Sequence, residues 1–251
     1  MINMFDRDRP LFNAFLRINH PWTAEMIAKS SFDLVTFDMQ HGMIEYSDVT
    51  RMIASLPQGI YPMARLPQND PGLTMKLLDA GVHGIICPQV KTPGNITSLV
   101  NACYYPPLGE RSFGPMRAGS LNPNYVKEAQ HTVTPFALIE TKEALSNIES
   151  IIEIKGLKGL YVGPYDLSLS LGLEQMANFE DQEFLNIIKN IAATAKKHEL
   201  VLAIQVYDLQ YISMLFEMGY RVFGVFDDQI LFRSSLQKRV DNIEKIRKQL
   251  T

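Results

Sequence analysis

The chain has 251 residues, 46% of them hydrophobic and 20% charged, with a formal net charge of −3. That length fills one large α/β domain or two small ones, with enough apolar side chains for a filled core. A near-neutral, slightly acidic balance excludes a broad nucleic-acid groove and a charge-driven membrane surface, and no apolar run approaches the roughly 20 residues of a membrane span.

Residues 1–10 are polar and carry Asp6, Arg7, Asp8 and Arg9 with no apolar run behind them. They read as a loosely attached lead-in, not a secretory leader, and the expected location is cytoplasmic. Residues 11–18 (LFNAFLRI) predict a first strand, and Pro21-Trp22-Thr23 opens a helix over 24–31. The run Leu34-Val35-Thr36-Phe37 predicts a strand ending at Asp38. Residues 46–56 have helical spacing through Val49, Met52, Ile53 and Leu56, with Ser47 as the expected N-cap. Residues 61–65 predict a short strand ending in Arg65. Asp70-Pro71 is a cap followed by a first-turn proline; it starts a helix that stops at Gly81. Residues 84–89 predict a strand and 93–103 a helix. Cys87 and Cys103, one on each, lack a CxxC or His partner pattern and read as buried, idle thiols. Residues 104–124 carry four prolines and three glycines and predict a long irregular loop, a kind of segment that is usually functional.

The second half repeats the rhythm. A strand is predicted over 135–139, a helix over 141–154 with Leu145, Ile148, Ile151 and Ile152 on one face, and a strand over 157–162. Gly163-Pro164-Tyr165-Asp166-Leu167-Ser168 follows as a tight, glycine-initiated turn. Then come a helix over 181–198, a strand over 201–206, a helix over 209–218, a strand over 221–225 and a terminal helix over 229–249. The basic residues of that last helix are interleaved with Asp241 and Glu244 and read as a solvated face. Eight strand–helix units without a linker predict a single (β/α)8 barrel, a TIM barrel, over residues 1–251. An open doubly wound sheet is the competitor, but the GxGxxG turn it usually shows after its first strand is missing.

A barrel collects its chemistry at the carboxyl ends of its strands. The residues there are Asp38 with His41, Arg65, Gln89, Glu140, Asp166, Asp208, Asp227 and Asp228, each at the end of an apolar run. If Glu140 points inward, so do Leu138 and Phe136, while Ala137 and Ile139 face the helices. Glu140 and Asp166 end successive buried strands. Two such hard carboxylates are costly unless bound and suit Mg²⁺, Mn²⁺ or a similar ion. The competing reading has Asp166 capping the turn and Glu140 paired with Arg65. Arg65 suits a carboxylate or an oxyanion, or else an internal salt bridge to Asp38 or Glu140. His41 lies close enough in sequence to Asp38 to form an acid/base dyad with it. The N–H groups of Tyr165 and Asp166, after Gly163, can hold a substrate carboxylate. Lys91, just beyond Gln89, is the only lysine near a strand end, which argues against Schiff-base chemistry.

The stretches FDLVTFDMQH (32–41), ARLPQNDPGLTMKLLDAG (64–81), YPPLGER (105–111), IETKEAL (139–145) and GLYVGPYDLSLSLG (159–172) together resemble the HpcH/HpaI family of class II, metal-dependent pyruvate aldolases. These include aldolases of the 4-hydroxy-2-oxoheptanedioate and 2-keto-3-deoxy sugar acid type. The resemblance implies a pyruvate/phosphoenolpyruvate-type (β/α)8 barrel assembled as a homo-oligomer, a hexamer or trimer of dimers, with the terminal helix packed on a neighbouring subunit. It implies Glu140 and Asp166 as metal ligands for Mg²⁺ or Mn²⁺, with Co²⁺ or Zn²⁺ also accepted, and Arg65 at the oxygen of a pyruvate enolate. It implies His41 with Asp38 as acid/base, Asp79 as an acid reaching a neighbour's site, and pyruvate plus an aldehyde as the small-molecule partners. Substrate-contacting positions would be Arg65, Gln89, Gly163, Tyr165 and Asp166. This chain departs from the family pattern at Gln40, Leu138 and Phe15, where Glu, Gln and Trp are common in relatives; those changes fall on the aldehyde half of the site. A thioester lyase of the citrate-lyase-β or malyl-CoA type, and a barrel that only binds a 2-oxo acid, are the alternatives.

Overall fold

The computed structural model describes Phe5 and residues 8–250. Eight parallel strands close into a barrel in sequence order, β1 pairing with both β2 and β8. The first half runs β1 (Leu11–Leu16), α1 (Pro21–Ala28), β2 (Leu34–Asp38), α2 (Tyr46–Ile53), β3 (Tyr61–Arg65), α3 (Pro71–Asp79), β4 (Gly84–Cys87) and α4 (Pro93–Cys103). Two short helices, α5 (Met116–Leu121) and α6 (Tyr125–Thr132), lead into β5 (Thr134–Ile139). The chain continues through α7 (Lys142–Ser146), α8 (Ile148–Ile152), β6 (Gly159–Val162), α9 (Pro164–Leu171) and α10 (Gln182–Lys197). It ends with β7 (Val201–Gln205), a 3-10 turn, α11 (Ile212–Met218), β8 (Val222–Asp227) and α12 (Asp228–Leu250). Among the described residues no helix is long and apolar enough to cross a membrane.

Alternation along the strands divides the core in two. Leu11, Leu34, Met63, Ile86, Phe136, Tyr161, Ala203 and Val222, one from each strand, fill the barrel axis together with Phe15 and Leu138. Their neighbours Val35, Ala64, Ile85, Ala137, Ile139, Leu160, Ile204 and Phe223 pack outward under the helices. Phe136 and Leu138 therefore point inward, which aims Glu140 at the barrel mouth. At the opposite end a glycine makes the fit possible: a Cβ on Gly159 would come within 2.3 Å of the Phe136 ring and 3.0 Å of the Val201 carbonyl oxygen. The lead-in is not loose at Phe5, whose buried ring packs edge-on against Tyr61 and Phe136 at 5.2 and 6.0 Å. The rest of that expectation, over residues 1–4, 6 and 7, lies outside the described residues.

Several expected elements differ in detail, and the larger differences have local reasons. β1 stops at Leu16 because the next two N–H groups, of Arg17 and Ile18, are taken by the Asp228 carboxylate at 2.9 and 3.2 Å. The cap of α2 is Glu45, not Ser47, in a capping box with Asp48. The expected helix over 141–154 breaks into α7 and α8 at Asn147, whose amide reaches across to the Lys91 carbonyl at 2.8 Å. The expected irregular stretch contains α5 and is followed by α6. Each buries only one or two side chains, Ala118 on α5 and Tyr125 with Ala129 on α6, so their apolar periodicity is faint. The Gly163 turn opens a real helix, α9, with Pro164 at its first position. Finally, α12 buries only Asp228, while Phe232, Leu236, Val240, Ile243 and Leu250 are exposed along it at helical spacing.

Gly159→Ala forces the Phe136 ring or the β7 backbone to move. It is expected to lower stability by about 1–3 kcal/mol, read as a reduced urea midpoint with unchanged slope.

Candidate active site

A cavity of about 390 Å³ opens at the carboxyl ends of the strands. Of the residues expected there, His41, Arg65, Glu140, Gly163, Tyr165 and Asp166 line it. Its floor is apolar, with Phe15, Ile86 and Leu138. Asp38 lies beneath the lining, and Gln89 lies behind Glu140.

Glu140 is almost fully buried, and its position is fixed from behind. Its Oε1 accepts the Gln89 backbone N–H at 2.7 Å and the Gln89 side-chain amide at 3.3 Å. Gln89 adopts the left-handed region, φ 54°, which a non-glycine residue takes up at a cost and which here turns its N–H onto the carboxylate. Gln89 thus holds Glu140 and does not line the pocket. Burial raises the Glu140 pKa, and the like charge of Asp166 adds to it, against the lowering pull of the Gln89 N–H and of Arg65. Asp166 comes from the first turn of α9, one strand over. The chain between them passes close because Gly163 has no side chain: a Cβ there would lie 3.1 Å from the Glu140 Cβ and 3.3 Å from its Oε2. Two carboxylates that repel each other at the mouth of one cavity fit a hard divalent cation, which would relieve that repulsion. Among the described residues no third His, Cys, Asp or Glu joins them. The remaining ligand positions would fall to water and substrate.

Asp38 has no exposed surface. Five N–H groups converge on it: Oδ1 accepts from Arg65 Nε at 2.9 Å, Gln40 N at 3.2 Å and His41 N at 3.3 Å, and Oδ2 from Arg65 Nη2 at 2.7 Å and Arg17 Nε at 2.8 Å. Burial pushes its pKa up, but the bonds and charges of Arg65 and Arg17 outweigh it and hold the carboxyl below its ordinary value. This corrects the expected dyad. Asp38 touches His41 only through the main chain, because both carboxylate oxygens are saturated by arginines. The His41 ring is exposed at the pocket. Of the two readings of Arg65, the ion pair with Asp38 is formed, and among the described residues it leaves Nη1 without a hydrogen-bond partner in a side chain that lines the cavity.

The family model for the HpcH/HpaI aldolase/citrate lyase family matches residues 12–225. The chain belongs to this family. It is 37% identical over 193 residues to a hydroxypyruvate/pyruvate aldolase of Rhizorhabdus wittichii, covering 76% of this chain and 77% of that protein. It is 30% identical over 213 residues to a 4-hydroxy-2-oxo-heptane-1,7-dioate aldolase of Salmonella heidelberg, covering 82% and 81%. In fold it is similar to an HpcH/HpaI family protein of Burkholderia cenocepacia, with a TM-score of 0.83, 24% identity, and 95% and 96% of the two chains covered. A citrate synthase structure is similar at a TM-score of 0.85 and 24% identity, over 98% of each chain.

In this HpcH/HpaI protein the lining of the cavity also includes Arg17, Gln205 and Tyr207, which were not singled out from the sequence. All three are legible in retrospect, since Leu11, Asn13, Phe15 and Arg17 alternate inward and Gln205 with Tyr207 extend the inward set of β7. Gln205 accepts the Tyr161 hydroxyl at 3.2 Å through Oε1. Asp79 lies elsewhere, at the end of α3 farthest from the cavity. Arg111, held between the Tyr105 and Tyr125 rings at 4.7 and 5.3 Å, grips it at 2.7 Å. Of the remaining rim acids, Asp208 caps the turn after β7, Asp227 pairs with Arg17, and Asp228 binds the backbone of Arg17 and Ile18.

Asp38→Asn leaves two partly buried guanidinium groups short of an anion and is expected to cost about 2–4 kcal/mol at neutral pH, less than a fully buried broken pair. Because the folded-state pKa of Asp38 is depressed, its contribution is complete above the ordinary carboxylate range and is lost as pH falls through the folded value. The gap in denaturant midpoint between wild type and variant should therefore narrow in strong acid.

Proposed function

We propose that this protein is a metal-dependent aldolase that reversibly cleaves a 4-hydroxy-2-oxo acid to pyruvate and an aldehyde. The observation that carries this reading is the facing of two charge sets across one cavity. Glu140 and Asp166 form one side, and the free Nη1 edge of Arg65 forms the other. The aldolase names of the two relatives at 37% and 30% identity support it.

Glu140 and Asp166 would hold the ion, Mg²⁺ or Mn²⁺ in the first instance with Co²⁺ or Zn²⁺ accepted. When bound, it would supply Lewis acidity toward the 2-oxo group. Every other part of the reaction falls to the chain itself. The N–H groups of Tyr165 and Asp166, in the first turn of α9 and so without helical acceptors, bind the substrate carboxylate. Arg65 presents a fixed positive charge where the 2-oxo oxygen gains negative charge, already oriented before substrate arrives. His41 is the general base. It takes the proton of the 4-hydroxyl, the C3–C4 bond breaks, and its electron pair moves toward the 2-oxo oxygen as the aldehyde forms. Protonation at C3 then completes pyruvate. No lysine lines the cavity, in keeping with a route that forms no Schiff base. Asp79 is too far from its own cavity to act there; its role in this reading is toward the site of a neighbouring copy.

That role requires an oligomer, and α12 is its natural contact. A 23-residue helix with Phe232, Leu236, Val240, Ile243 and Leu250 exposed has an apolar stripe that no described residue of its own chain buries. We take the assembly to be a hexamer built as a trimer of dimers. Replacing Phe232 and Leu236 together by Glu should yield a smaller species by light scattering while the barrel keeps its circular dichroism spectrum.

The reaction test is proton exchange at the pyruvate methyl group in D₂O, followed by NMR. Wild type should exchange only with a divalent ion, and a chelator should stop it. Arg65→Ala should lower the rate by about 10²–10³-fold. Exchange that persists undiminished in both Arg65→Ala and chelated protein contradicts the proposal.

A further inference from the structure

Arg17 has no role in the chemistry above, yet both its side chain and its backbone are held by neighbouring strand ends. It stands at the end of β1, between the ends of β2 and β8. Its Nε donates to Asp38 Oδ2 at 2.8 Å, and its Nη1 lies 3.0 Å from Asp227 Oδ2. Its backbone is gripped as well. The Asp228 carboxylate accepts from the Arg17 and Ile18 N–H groups, and the Arg17 carbonyl accepts the Met43 N–H at 3.0 Å, just beyond His41. Gly42 permits that approach: a Cβ there would lie 2.9 Å from the Arg17 Cα.

The ion pairs therefore form one alternating chain across four strand ends: Asp227 on β8, Arg17 on β1, Asp38 on β2, Arg65 on β3. Its outer end is the root of α12, since Asp227 Oδ1 also accepts the Ile230 N–H at 2.9 Å and Ile230 lines the cavity. Asp38 is wholly buried and fixes the plane of the Arg65 guanidinium through two parallel bonds. Among the described residues the only other donor on its Oδ2 side is Arg17, while the Gln40 and His41 N–H groups hold Oδ1. The orientation of Arg65 is thus no better determined than the Asp38 carboxylate, whose Oδ2 edge Arg17 holds.

We propose that Arg17 is a positioning residue: through Asp38 it fixes the reacting edge of Arg65, and through Asp227 it ties that edge to the first turn of α12. The proposal rests on the aldolase reading for its consequence in rate, but not for its geometry. A misplacement of about 1 Å in a reacting group costs on the order of 10²-fold. Arg17→Met should therefore slow pyruvate methyl exchange by about 10–100-fold through kcat, with KM for pyruvate little changed.

The decisive comparison is the pair Arg65→Met and Arg17→Met/Arg65→Met. If Arg17 acts through Arg65, adding Arg17→Met to Arg65→Met causes no further loss of exchange. A full multiplicative loss means that Arg17 acts on substrate directly and overturns the proposal. Crystal structures of wild type and Arg17→Met supply a readout free of activity. A rotated or displaced Arg65 guanidinium is the expected result, and an unmoved one overturns the proposal even if the wild-type protein exchanges nothing and the aldolase reading has failed. Should Arg17→Met not fold, Arg17→Lys takes its place in both experiments. A single ammonium cannot bridge Asp38 and Asp227 as the guanidinium does, so the same displacement is expected and the same unmoved Arg65 is the contrary result.

Discussion

A carboxylate with no exposed surface must be matched by charge and hydrogen bonds or it cannot remain ionised. Asp38 is such a group, and the way it is matched organises the mouth of this barrel. Two arginines from the flanking strands and two main-chain N–H groups from the loop that follows it saturate both of its oxygens. One consequence is steric and electrostatic: Arg65 has its Nε edge committed and its Nη1 edge available. The other is chemical. A saturated anion whose pKa is held down is a poor proton acceptor, which is why the proposed reaction gives proton transfer to the exposed imidazole of His41.

The opposite wall of the cavity is built on the reverse principle. Glu140 is buried with one strong donor, the Gln89 N–H, and with Asp166 pushing its pKa up. Where Asp38 is over-satisfied, Glu140 and Asp166 are under-satisfied, and the deficit faces the pocket. The backbone carries the cost of this arrangement in visible places. Gln89 takes a left-handed conformation to aim its N–H, and Gly163 gives up a side chain so that α9 can bring Asp166 beside Glu140. A wall whose charges are matched and a wall that lacks positive charge line one cavity of about 390 Å³. The chelating 2-oxo acid and divalent ion of the proposed function would match both.

Much of this was legible in the chain because a barrel has simple rules. The eight apolar runs placed Arg65, Glu140 and Asp166 on the correct rim, and period-two alternation correctly turned Phe136 and Leu138 inward. Asp38 and His41 are near neighbours in the chain, which suggested a dyad. The structure pairs Asp38 with Arg65, 27 residues away and one of the partners the sequence had left open, and with Arg17, 21 residues away, which was not foreseen; both sit on the strands that flank β2. Gln89 was placed at the rim but given the wrong task, since a positive φ is not written in its residue type. Arg17 was overlooked because the predicted strand ran through it to residue 18, hiding it as one more strand position. Barrel closure, which sets β8 beside β1, explains why Asp227 and Asp228, far from Arg17 in sequence, reach its guanidinium and its backbone.

The proposed reaction requires that Glu140 and Asp166 form a cation site completed by the two oxygens of a pyruvate-like ligand. The most direct measurement is a Mn²⁺ titration followed by electron paramagnetic resonance, with and without oxalate, a planar two-oxygen mimic of deprotonated pyruvate. The account predicts that wild-type protein binds Mn²⁺, that oxalate tightens the binding, and that Glu140→Gln abolishes both effects. Mn²⁺ binding that is indifferent to oxalate and unchanged in Glu140→Gln would contradict it.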